Sequence, residues 1–363
     1  MKEMNNMKKI KAFLKKKDVV FTLQRYGIDA LGAMAQGLFC TLLVGTILNT
    51  IGQQFGIEFL NRAIVTIKDA TGENQISYTI GGLASAMVGP GMAVAIGNAL
   101  HCPPLVLFSL IPVGFAANAM GGAGGPLAVF FIAIVAAECG KLVSKETKVD
   151  ILVTPIVTIL AGVGVSSVIA APIGAAASAV GQAIMWATEL RPFFMGMLVS
   201  AVIGIALTLT GLAGGAAVAG CCAQMVGFAV MSFRENRWGG LVAQGIGTSM
   251  LQMPNIVKNP RIWIPPTLAS MITGPIATCI FKLQMNGAPV SSGMGTCGFV
   301  GQIGVYTGWI KDIAAGTKTA ITTMDWVGLV LVCFVLPAVL SPLFCEILRK
   351  MGWIKEGDLK LDL

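Results

Sequence analysis

Charged residues are scarce in this chain, since Asp, Glu, Lys and Arg together make up only 12% of its 363 residues. Soluble proteins carry about 25% charged residues, so the composition excludes a soluble globular protein. Hydrophobic residues make up 55% of the chain, and the mean hydropathy is +0.79. Several apolar runs approach the roughly 20 residues that a helix needs to cross a bilayer. The sequence therefore predicts a polytopic membrane protein without a sizeable soluble domain.

Groups that could carry catalysis are also few. The chain has one histidine, His101, and none of its nine cysteines forms a CxxC pair. A catalytic or metal site needs several such groups in convergent positions, so we expect no metal, no cofactor and no catalytic residues. Glu138, near the end of a predicted span, is interpreted as an interfacial residue. A membrane enzyme is therefore less well supported by the sequence than a transporter or a sensor.

Positive charge is concentrated at the start of the chain. Within the first 25 residues, eight cationic residues stand against two acidic ones. Basic residues beside a first span mark the cytoplasmic side and attract anionic lipids, so we expect lipid rather than nucleic acid as their partner. Residues 7–26 are expected to form an amphipathic surface helix, with no cleaved signal peptide. Lysines near the other end predict that both termini are cytoplasmic, which requires eight or ten crossings.

The order of apolar and polar segments predicts an all-α fold with about 8–10 transmembrane helices. The predicted spans cover 28–51, 78–100, 103–119, 127–143, 151–171, 193–212, 214–231, 262–283 and 326–345. The polar interval 52–77 is expected to be a loop or a surface helix. We divide the chain into a basic amphipathic segment at 1–27, a first membrane half at 28–171, a linker helix at 172–192, a second membrane half at 193–345 and a cytoplasmic tail at 346–363.

Two segments of the second half are too irregular for plain membrane helices. The stretch at 245–267, GIGTSMLQMPNIVKNPRIWIPPT, contains four prolines, and the stretch at 286–308, NGAPVSSGMGTCGFVGQIGVYTG, is rich in glycine. Prolines break the helical hydrogen-bond ladder, and in lipid each freed backbone group must be satisfied by protein or by water in a cavity. We therefore predict re-entrant hairpins near 245–260 and 286–308 that line a polar cavity.

Uncharged donors and acceptors in these breaks suit a small neutral solute that carries hydroxyl groups. The candidate binding residues are Thr248, Ser249, Gln252 and Asn255 in the first hairpin, Ser291, Ser292 and Thr296 in the second, and His101 and Asn118 in the first half. Gln302 lies beside them in the second hairpin. An alternative stays open for each residue, namely that it caps a broken helix and satisfies freed backbone groups. His101, before two prolines, fits either a cap or a ligand and proton-relay role.

The pattern GIGTSMLQMPNIVKNP at 245–260 resembles the hairpin signature of enzyme IIC sugar permeases of the phosphotransferase system, in the glucose/lactose superfamily. IPPTLA at 264–269 and the span within 148–172 resemble that family as well, so that the resemblance covers 141–275. Within the superfamily the chain looks closest to the divergent PfoR-type branch.

This resemblance implies an enzyme IIC-like fold and a homodimer in the bacterial cell membrane. The first half would form the dimer interface, and the second would be a transport half that holds the sugar between its two hairpins. Phosphorylation of the sugar would require separate IIA and IIB proteins, since neither domain is recognised in this sequence.

The chain departs from the family at the residues that handle the sugar. Thr248 stands where the family has its sugar-binding glutamate, Ser249 where it has a proline, and Ala213 at about the position of its histidine. A threonine carries no charge and is no general base near neutral pH. We expect a transporter of a small polar solute, with its coupling to phosphorylation in doubt. A membrane sensor or regulator of PfoR type is the alternative hypothesis.

Overall fold

The computed structural model describes residues 12–68, 75–188, 193, 196–197, 199–200, 209–287 and 289–361. It divides into two compact units, Met1–Ser178 and Ala179–Leu363. Almost every regular element of the described part is helical. The predicted all-α polytopic membrane fold is therefore confirmed. The first eleven residues of the basic segment and most of the predicted span 193–212 lie outside the described residues.

The first unit is built from helices and one short strand pair. In chain order its elements are α1 (Gln24–Phe55), α2 (Glu58–Asn61), β1 (Val65–Lys68), β2 (Gln75–Tyr78), α3 (Ile80–Ala86), α4 (Val88–Ala99), α5 (Pro104–Gly121), α6 (Gly125–Val143) and α7 (Asp150–Thr188), which runs on into the second unit.

Helix α4 lies at the centre of the first unit, where it packs against α1, α5 and α6. Its contact with α5 depends on two glycines that face each other. A Cβ atom at Gly89 would lie 2.2 Å from the carbonyl oxygen of Gly114, and one at Gly114 would lie 2.3 Å from that of Gly89. Only glycine allows two membrane helices to approach this closely, so these positions fix the crossing point of α4 and α5.

The predicted span 78–100 is a broken helix. Helices α3 and α4 meet at Met87 with a bend of 53°. Thr79 caps the start of α3, where its hydroxyl oxygen accepts a hydrogen bond from the amide of Gly82 at 3.0 Å. A serine or threonine in this position satisfies one of the free amides at the start of a helix.

Helix α7 is longer than the sequence predicts. It runs for 39 residues, through Pro155 and Pro172, and therefore includes most of the proposed linker at 172–192. At 1.5 Å per residue its length is about 58 Å, nearly twice the hydrocarbon thickness of a bilayer. The alanine-rich run that follows Pro172 has high helix propensity, which favours a continuous helix over a break at the proline.

The polar interval 52–77 contains strands, which the prediction of a loop or surface helix missed. Strands β1 and β2 pair antiparallel, with Val65 opposite Tyr78 and Thr66 opposite Ser77. The hydroxyl oxygens of Thr66 and Ser77 lie 3.0 Å apart. A cross-strand hydroxyl pair of this kind adds a small stabilisation to an exposed ribbon.

Charged side chains fasten the start of the described chain to the rest of the first unit. Lys141 is 2% exposed, and its ammonium group lies 3.0 Å from the carboxylate of Glu138 and donates to the carbonyl of Asp18 at 2.7 Å. The hydroxyl of Tyr26 donates to Glu138 at 3.0 Å. The carboxylate of Glu138 is thus buried in an ion pair within the protein, and its position relative to the membrane interface stays a prediction.

Asp18 forms the outer part of this network. Its carboxylate accepts two hydrogen bonds from the guanidinium of Arg25, which also donates to the carbonyl of Leu100 at 2.6 Å. The hydrogen bonds from Arg25 lower the pKa of Asp18 below its usual value of 3.8. An ionised Asp18 therefore helps to hold residues 12–23 against the loop that follows α4.

Replacing Asp18 by Asn is expected to destabilise the first unit by about 0.5 kcal/mol at neutral pH, since the side chain is half exposed and solvent screens the pair. Asn tolerates the left-handed backbone of this position, where φ is 54°. The pKa of Asp18 is lower in the folded state than its usual value of 3.8. The stabilisation by the ionised carboxylate is therefore present above pH 3.8, and it is lost as the pH falls through the folded-state pKa. Thermal unfolding in detergent should show a difference between variant and wild type at pH 7 that shrinks near pH 3.

Glu58→Gln is the matched control for this measurement, because Glu58 forms no ion pair within the described residues. It should leave the midpoint unchanged at both pH values. A difference for Asp18→Asn that is equally large at pH 3 and pH 7 would contradict the role of the ionised carboxylate.

The described part of the second unit contains two further helices of span length, four shorter helices and two broken segments. Its elements are α8 (Gly211–Met231), α9 (Phe233–Val242), α10 (Met253–Lys258), α11 (Ile264–Pro275), α12 (Val300–Ala314) and α13 (Thr323–Lys350). Helix α13 begins with a capping box, in which Thr322 and Asp325 each accept a hydrogen bond from the other's backbone amide. This exchange satisfies two free amides at the start of the helix.

Helix α8 is the core of the second unit and packs against α11 and α13. Gly214, Gly215 and Gly220 of this helix permit close approach. A Cβ atom at Gly215 would lie 1.8 Å from the carbonyl oxygen of Leu283, which leaves no space for any side chain. Cys222 and Val218 of α8 are buried in a cluster with Trp309 of α12 and Cys333 of α13. Close packing therefore holds α12, α13 and the chain at Leu283 at fixed distances from α8.

The described residues contain six helices that are long and apolar enough to cross a membrane, or seven if the bent pair α3 and α4 forms one span. The sequence predicts eight to ten. Part of the difference arises because the predicted span 193–212 lies mostly outside the described residues. The predicted span 262–283 is in fact the 12-residue helix α11 followed by a π-helical turn at Ile276–Ile280, which falls short of full length.

Candidate functional site

The first break begins at Ala243, directly after α9 ends at Val242. A π-helical turn, Ala243–Gly247, leads to Thr248, whose backbone is extended, and a 3-10 turn, Ser249–Gln252, leads into α10. Pro254 lies in the first turn of α10, where its missing amide costs no hydrogen bond. The local sequence thus produces several short helical pieces in place of a single helix, as the prolines and glycines predict.

Thr248 lies at the point where this break changes direction. Its side chain is buried, and its hydroxyl oxygen accepts a hydrogen bond from the amide of Met250 at 3.2 Å. Its own amide donates to the carbonyl of Ala243 at 2.7 Å. Thr248 therefore caps the turn that follows it, and its hydroxyl proton is not used by this cap.

The second break has the same character. It consists of two 3-10 turns, Pro289–Gly293 and Cys297–Phe299, before α12 begins. Gly295, Gly298 and Phe299 all have positive φ angles, between 51° and 60°. A Cβ atom at Gly295 would lie 2.8 Å from the Cβ atom of Cys221 in α8. Glycine at this position therefore supplies both the backbone shape and the close approach to α8.

One hydrogen bond joins the two breaks. The hydroxyl of Thr296, a residue with 0% exposure, donates to the carbonyl of Gly245 at 2.5 Å. A π-helical turn frees backbone carbonyls from their usual partners, and a buried carbonyl must find another donor. Thr296 supplies that donor, so the two segments that the sequence predicts as hairpins meet at this point in the second unit.

Two cysteines of α8 connect the second break to the core. The thiol of Cys221 lies 3.5 Å from the carbonyl oxygen of Gly293, and the amide nitrogen of Gln302 lies 3.1 Å from the sulfur of Cys222. The amide oxygen of Gln302 is buried and has no partner among the described residues. A buried acceptor without a donor is costly, and a ligand hydroxyl is one group that could satisfy it.

The serines of the two breaks have different surroundings. The hydroxyl oxygen of Ser292 accepts a hydrogen bond from the amide of Leu209 at 3.0 Å, which ties the second break to the chain before α8. Ser291 is buried and Ser249 is half-buried. Neither forms a side-chain hydrogen bond within the part of the chain that the structure describes, so both hydroxyls could bind a solute.

Gln252 and Asn255 contact the last part of the described chain. The amide of Gln252 donates to the carbonyl of Leu359 at 2.9 Å, and that of Asn255 donates to the carbonyl of Lys360 at 2.8 Å. Asn255 also donates to the side-chain oxygen of Gln252 at 2.8 Å. In this structure the donors of both amides serve the protein itself, which agrees with the alternative that such residues satisfy backbone groups.

Sequence reasoning missed two buried amides near these segments. Gln224, inside α8, accepts a hydrogen bond from the indole of Trp263 at 3.1 Å and donates to Thr267 at 3.3 Å. Gln244 donates to the hydroxyl of Ser232 at 2.8 Å, and its amide oxygen has no partner among the described residues. A lone glutamine in an apolar helix is the signal that could have identified Gln224, because a polar group in a membrane helix needs a partner.

His101 and Asn118 belong to the first unit and do not share a site. His101 is exposed, has a φ angle of 55° and lies 3.7 Å from Asp18, measured between Nδ1 and Oδ2. Asn118 is half-buried and lies 14 residues beyond the start of α5. The helical rise therefore separates it from the loop of His101 by about 20 Å. Of the predicted binding residues, the structure brings together those of the two breaks.

The site offers uncharged polar chemistry. Among the residues that the structure describes, no group of three or more histidine, cysteine or acidic side chains is placed to hold a metal ion. Residues 243–257 and 286–302, which include both breaks, contain no charged residue. The arrangement can exchange hydrogen bonds with hydroxyl groups, but it contains no carboxylate or imidazole that could serve as a base.

Long apolar helices combined with two polar breaks that meet beside a buried helix are typical of membrane transporters. The chain matches the family described as phosphotransferase system, EIIC, over residues 28–361, and it belongs to that family. It is accordingly a membrane component of a sugar transport system, of a kind that usually works with IIB and IIA proteins. No curated protein and no solved structure matched the chain. The family match does not test the PfoR-type branch, which stays a prediction.

Proposed function

We propose that the protein binds a small neutral sugar between the two breaks of its second unit and carries it across the membrane. The observation that supports this proposal most is the hydrogen bond from Thr296 to the carbonyl of Gly245, because it places two segments rich in uncharged polar groups side by side. Transport sites of membrane carriers are commonly formed where discontinuous helices meet.

The proposed sugar ligands are the hydroxyls of both breaks together with one amide. They comprise Thr248 and Ser249 from the first break, Ser291, Ser292 and Thr296 from the second, and Gln302 from the first turn of α12. A serine or threonine hydroxyl both donates and accepts, and so does each hydroxyl of a sugar. The unpartnered oxygen of Gln302 would accept from one of them. A charged solute would find no opposite charge in these segments, which favours a neutral sugar.

We propose further that translocation does not depend on phosphoryl transfer at this site. Thr248 stands where the family resemblance places a glutamate, and Ala213 stands at about the position of its histidine. Neither side chain can accept a proton from a sugar hydroxyl near neutral pH. A separate IIB protein could phosphorylate the sugar only with a base from elsewhere, so flux through the permease alone is the simpler mechanism.

The assembly and location of the protein are also proposals. We infer a homodimer in the bacterial cell membrane with cytoplasmic termini from the resemblance and from the placement of charge. Separate IIB and IIA proteins are proposed as partners that transport of the sugar does not require. Anionic lipids would contact the start of the chain. There Lys16 and the apolar side chains of Phe21 and Leu23 are exposed, a combination that favours the surface of an anionic bilayer.

Uptake by liposomes that contain only the purified protein tests the proposal. With a panel of radiolabelled neutral hexoses and disaccharides, we expect at least one sugar to accumulate to its outside concentration and to be recovered without phosphate. Empty liposomes are the control. Binding to the detergent-solubilised protein without flux for any sugar would overturn the transporter and would favour the sensor of PfoR type.

A further inference from the structure

Residues 353–361, which follow α13, form a segment that is packed into the second unit. We refer to them as the tail segment. The side chain of Leu359 has 0% exposure, and Ile354 is also buried. Both lie in one apolar cluster with Phe228 of α8, Ile256 of α10 and Ile262. A loosely attached terminus would leave these side chains in solvent, so the tail segment is part of the folded core.

We refer to residues 245–260, which contain most of the first break and all of α10, as the first hairpin. Side chains of the first hairpin form hydrogen bonds to the backbone of the tail segment. The side-chain amides of Gln252 and Asn255 donate to the carbonyls of Leu359 and Lys360, at 2.9 and 2.8 Å. Because the two side chains bind consecutive carbonyls, they fix both the distance of the tail segment from the hairpin and its position along the hairpin. Gln252, Asn255 and Leu359 are buried, whereas Lys360 is exposed, and an unpaired amide in a buried position is costly.

Helix α9 holds the tail segment from a second element. Asn236 donates to the carbonyl of Leu359 at 2.7 Å and accepts from the amide of Leu361 at 2.8 Å. Glu235 accepts from the amide of Leu359 at 2.9 Å, and its other oxygen accepts from Arg349 at 2.8 Å. The carbonyl of Leu359 is therefore shared between α9 and the first hairpin, and the tail segment bridges the two.

The far end of the first hairpin makes a third attachment. The amide of Asn259 donates to the carboxylate of Asp358 at 2.8 Å and to the carbonyl of Trp353 at 3.1 Å. The guanidinium carbon of Arg261 lies 5.3 Å from the centre of the Trp353 ring. The tail segment thus contacts the hairpin at both ends of α10, which is the short helix between residues 252 and 259.

We propose that the tail segment is a strap that fixes the first hairpin in the position where it meets the second break, at the hydrogen bond between Thr296 and Gly245. Asn236, Gln252 and Asn255 are then positioning residues that act through the strap and do not bind the sugar. This inference rests on the proposed function where sugar affinity is concerned, but the mechanical link between tail segment and hairpin does not. The competing role, in which the tail segment is a plug that competes with sugar for Gln252 and Asn255, is an outcome of the test.

Asn236→Ala tests the strap from outside the hairpin, because Asn236 lies on α9 and forms hydrogen bonds to Leu359 and Leu361 of the tail segment. Hydrogen exchange of the full-length protein in detergent is the first measurement. We expect amides of residues 249–259 to exchange about tenfold faster, since two hydrogen bonds that hold the strap are lost. Amides of residues 289–302 should be unchanged. Half-saturation of sugar uptake should rise about tenfold with the maximal rate within a factor of two.

Asn286→Ala is the matched control for the exchange measurement. Asn286 makes a similar set of hydrogen bonds, to Asp312 and from the amide of Gly211, but it does not contact the tail segment. It should leave exchange at 249–259 unchanged. If Asn236→Ala does not fold, Asp358→Asn is the second variant. It weakens the attachment of Asn259 at a less buried position and should give a smaller increase in the same residues.

Unchanged exchange at 249–259 in both Asn236→Ala and Asp358→Asn would overturn the strap. Tighter sugar binding in Asn236→Ala would also overturn it, and would identify the tail segment as a plug. Faster exchange at 249–259 in a protein whose wild type takes up no sugar would support the strap and reject the proposed function, so the two failures can be told apart.

Discussion

Lys141→Met is expected to lower the free energy of unfolding by about 3–5 kcal/mol, the cost of removing one member of a buried ion pair. Lys141 is 2% exposed and Glu138 is 8% exposed, and their charged groups lie 3.0 Å apart. Methionine keeps most of the volume of the lysine chain but leaves the carboxylate of Glu138 with Tyr26 as its hydrogen-bond donor. The carbonyls of Asp18 and Leu100 lose a donor at the same time.

Unfolding by sodium dodecyl sulfate in mixed micelles measures this effect. Lys318→Met is the matched control, because Lys318 pairs with Asp325 at 2.8 Å but lies nearer the surface, and it should cost no more than about 1 kcal/mol. The double variant Glu138→Leu with Lys141→Met should recover part of the loss, since no unpaired charge remains buried. A cost for Lys141→Met equal to that of Lys318→Met would contradict the buried pair.

Thr296→Val is expected to weaken sugar binding by at least about tenfold, and it is the largest effect expected within the site. The substitution replaces a hydroxyl by a methyl group in a side chain with 0% exposure. The carbonyl of Gly245 then loses its donor, which costs about 1–3 kcal/mol unless the first break moves to find another one. Either outcome disturbs the junction where we place the sugar.

Thr307→Val is the control for this variant. Within the described residues, the hydroxyl of Thr307 donates to carbonyls of its own helix, those of Ile303 and Gly304, so its loss should change sugar affinity by less than about twofold. Equilibrium binding of the labelled sugar to detergent-solubilised protein is the measurement. Equal affinities for the two variants would show that the junction of the breaks is not part of the site.

Local sequence accounts for most of the fold. Apolar runs of span length locate α1, α5, α6, α8 and α13, because burial in lipid demands that composition over about 20 residues. Prolines and glycines locate the two breaks, since their backbone limits act within a few residues. Pro172 shows the limit of such rules. It is compatible with a helix stop, yet α7 continues through it to Thr188.

Contacts between distant residues could not be predicted in the same way. Gln252 and Asn255 have the composition of solute ligands, but they are bound to carbonyls more than a hundred residues later in the chain. A side-chain amide that binds a sugar and one that binds a backbone carbonyl cannot be distinguished from the sequence alone. Glu138 and Lys141 likewise stand three residues apart, which indicates a helical pair, but their burial depends on residues 18–26 packing over them.

The central claim is that sugar binds where the two breaks of the second unit meet. An experimental structure with the transported sugar bound tests it most directly. We expect the sugar to lie within about 2.7–3.2 Å of hydroxyls from both breaks, Thr248 or Ser249 on one side and Ser291 or Thr296 on the other. A sugar bound beside His101 or Asn118, or one that contacts neither break, would contradict the account.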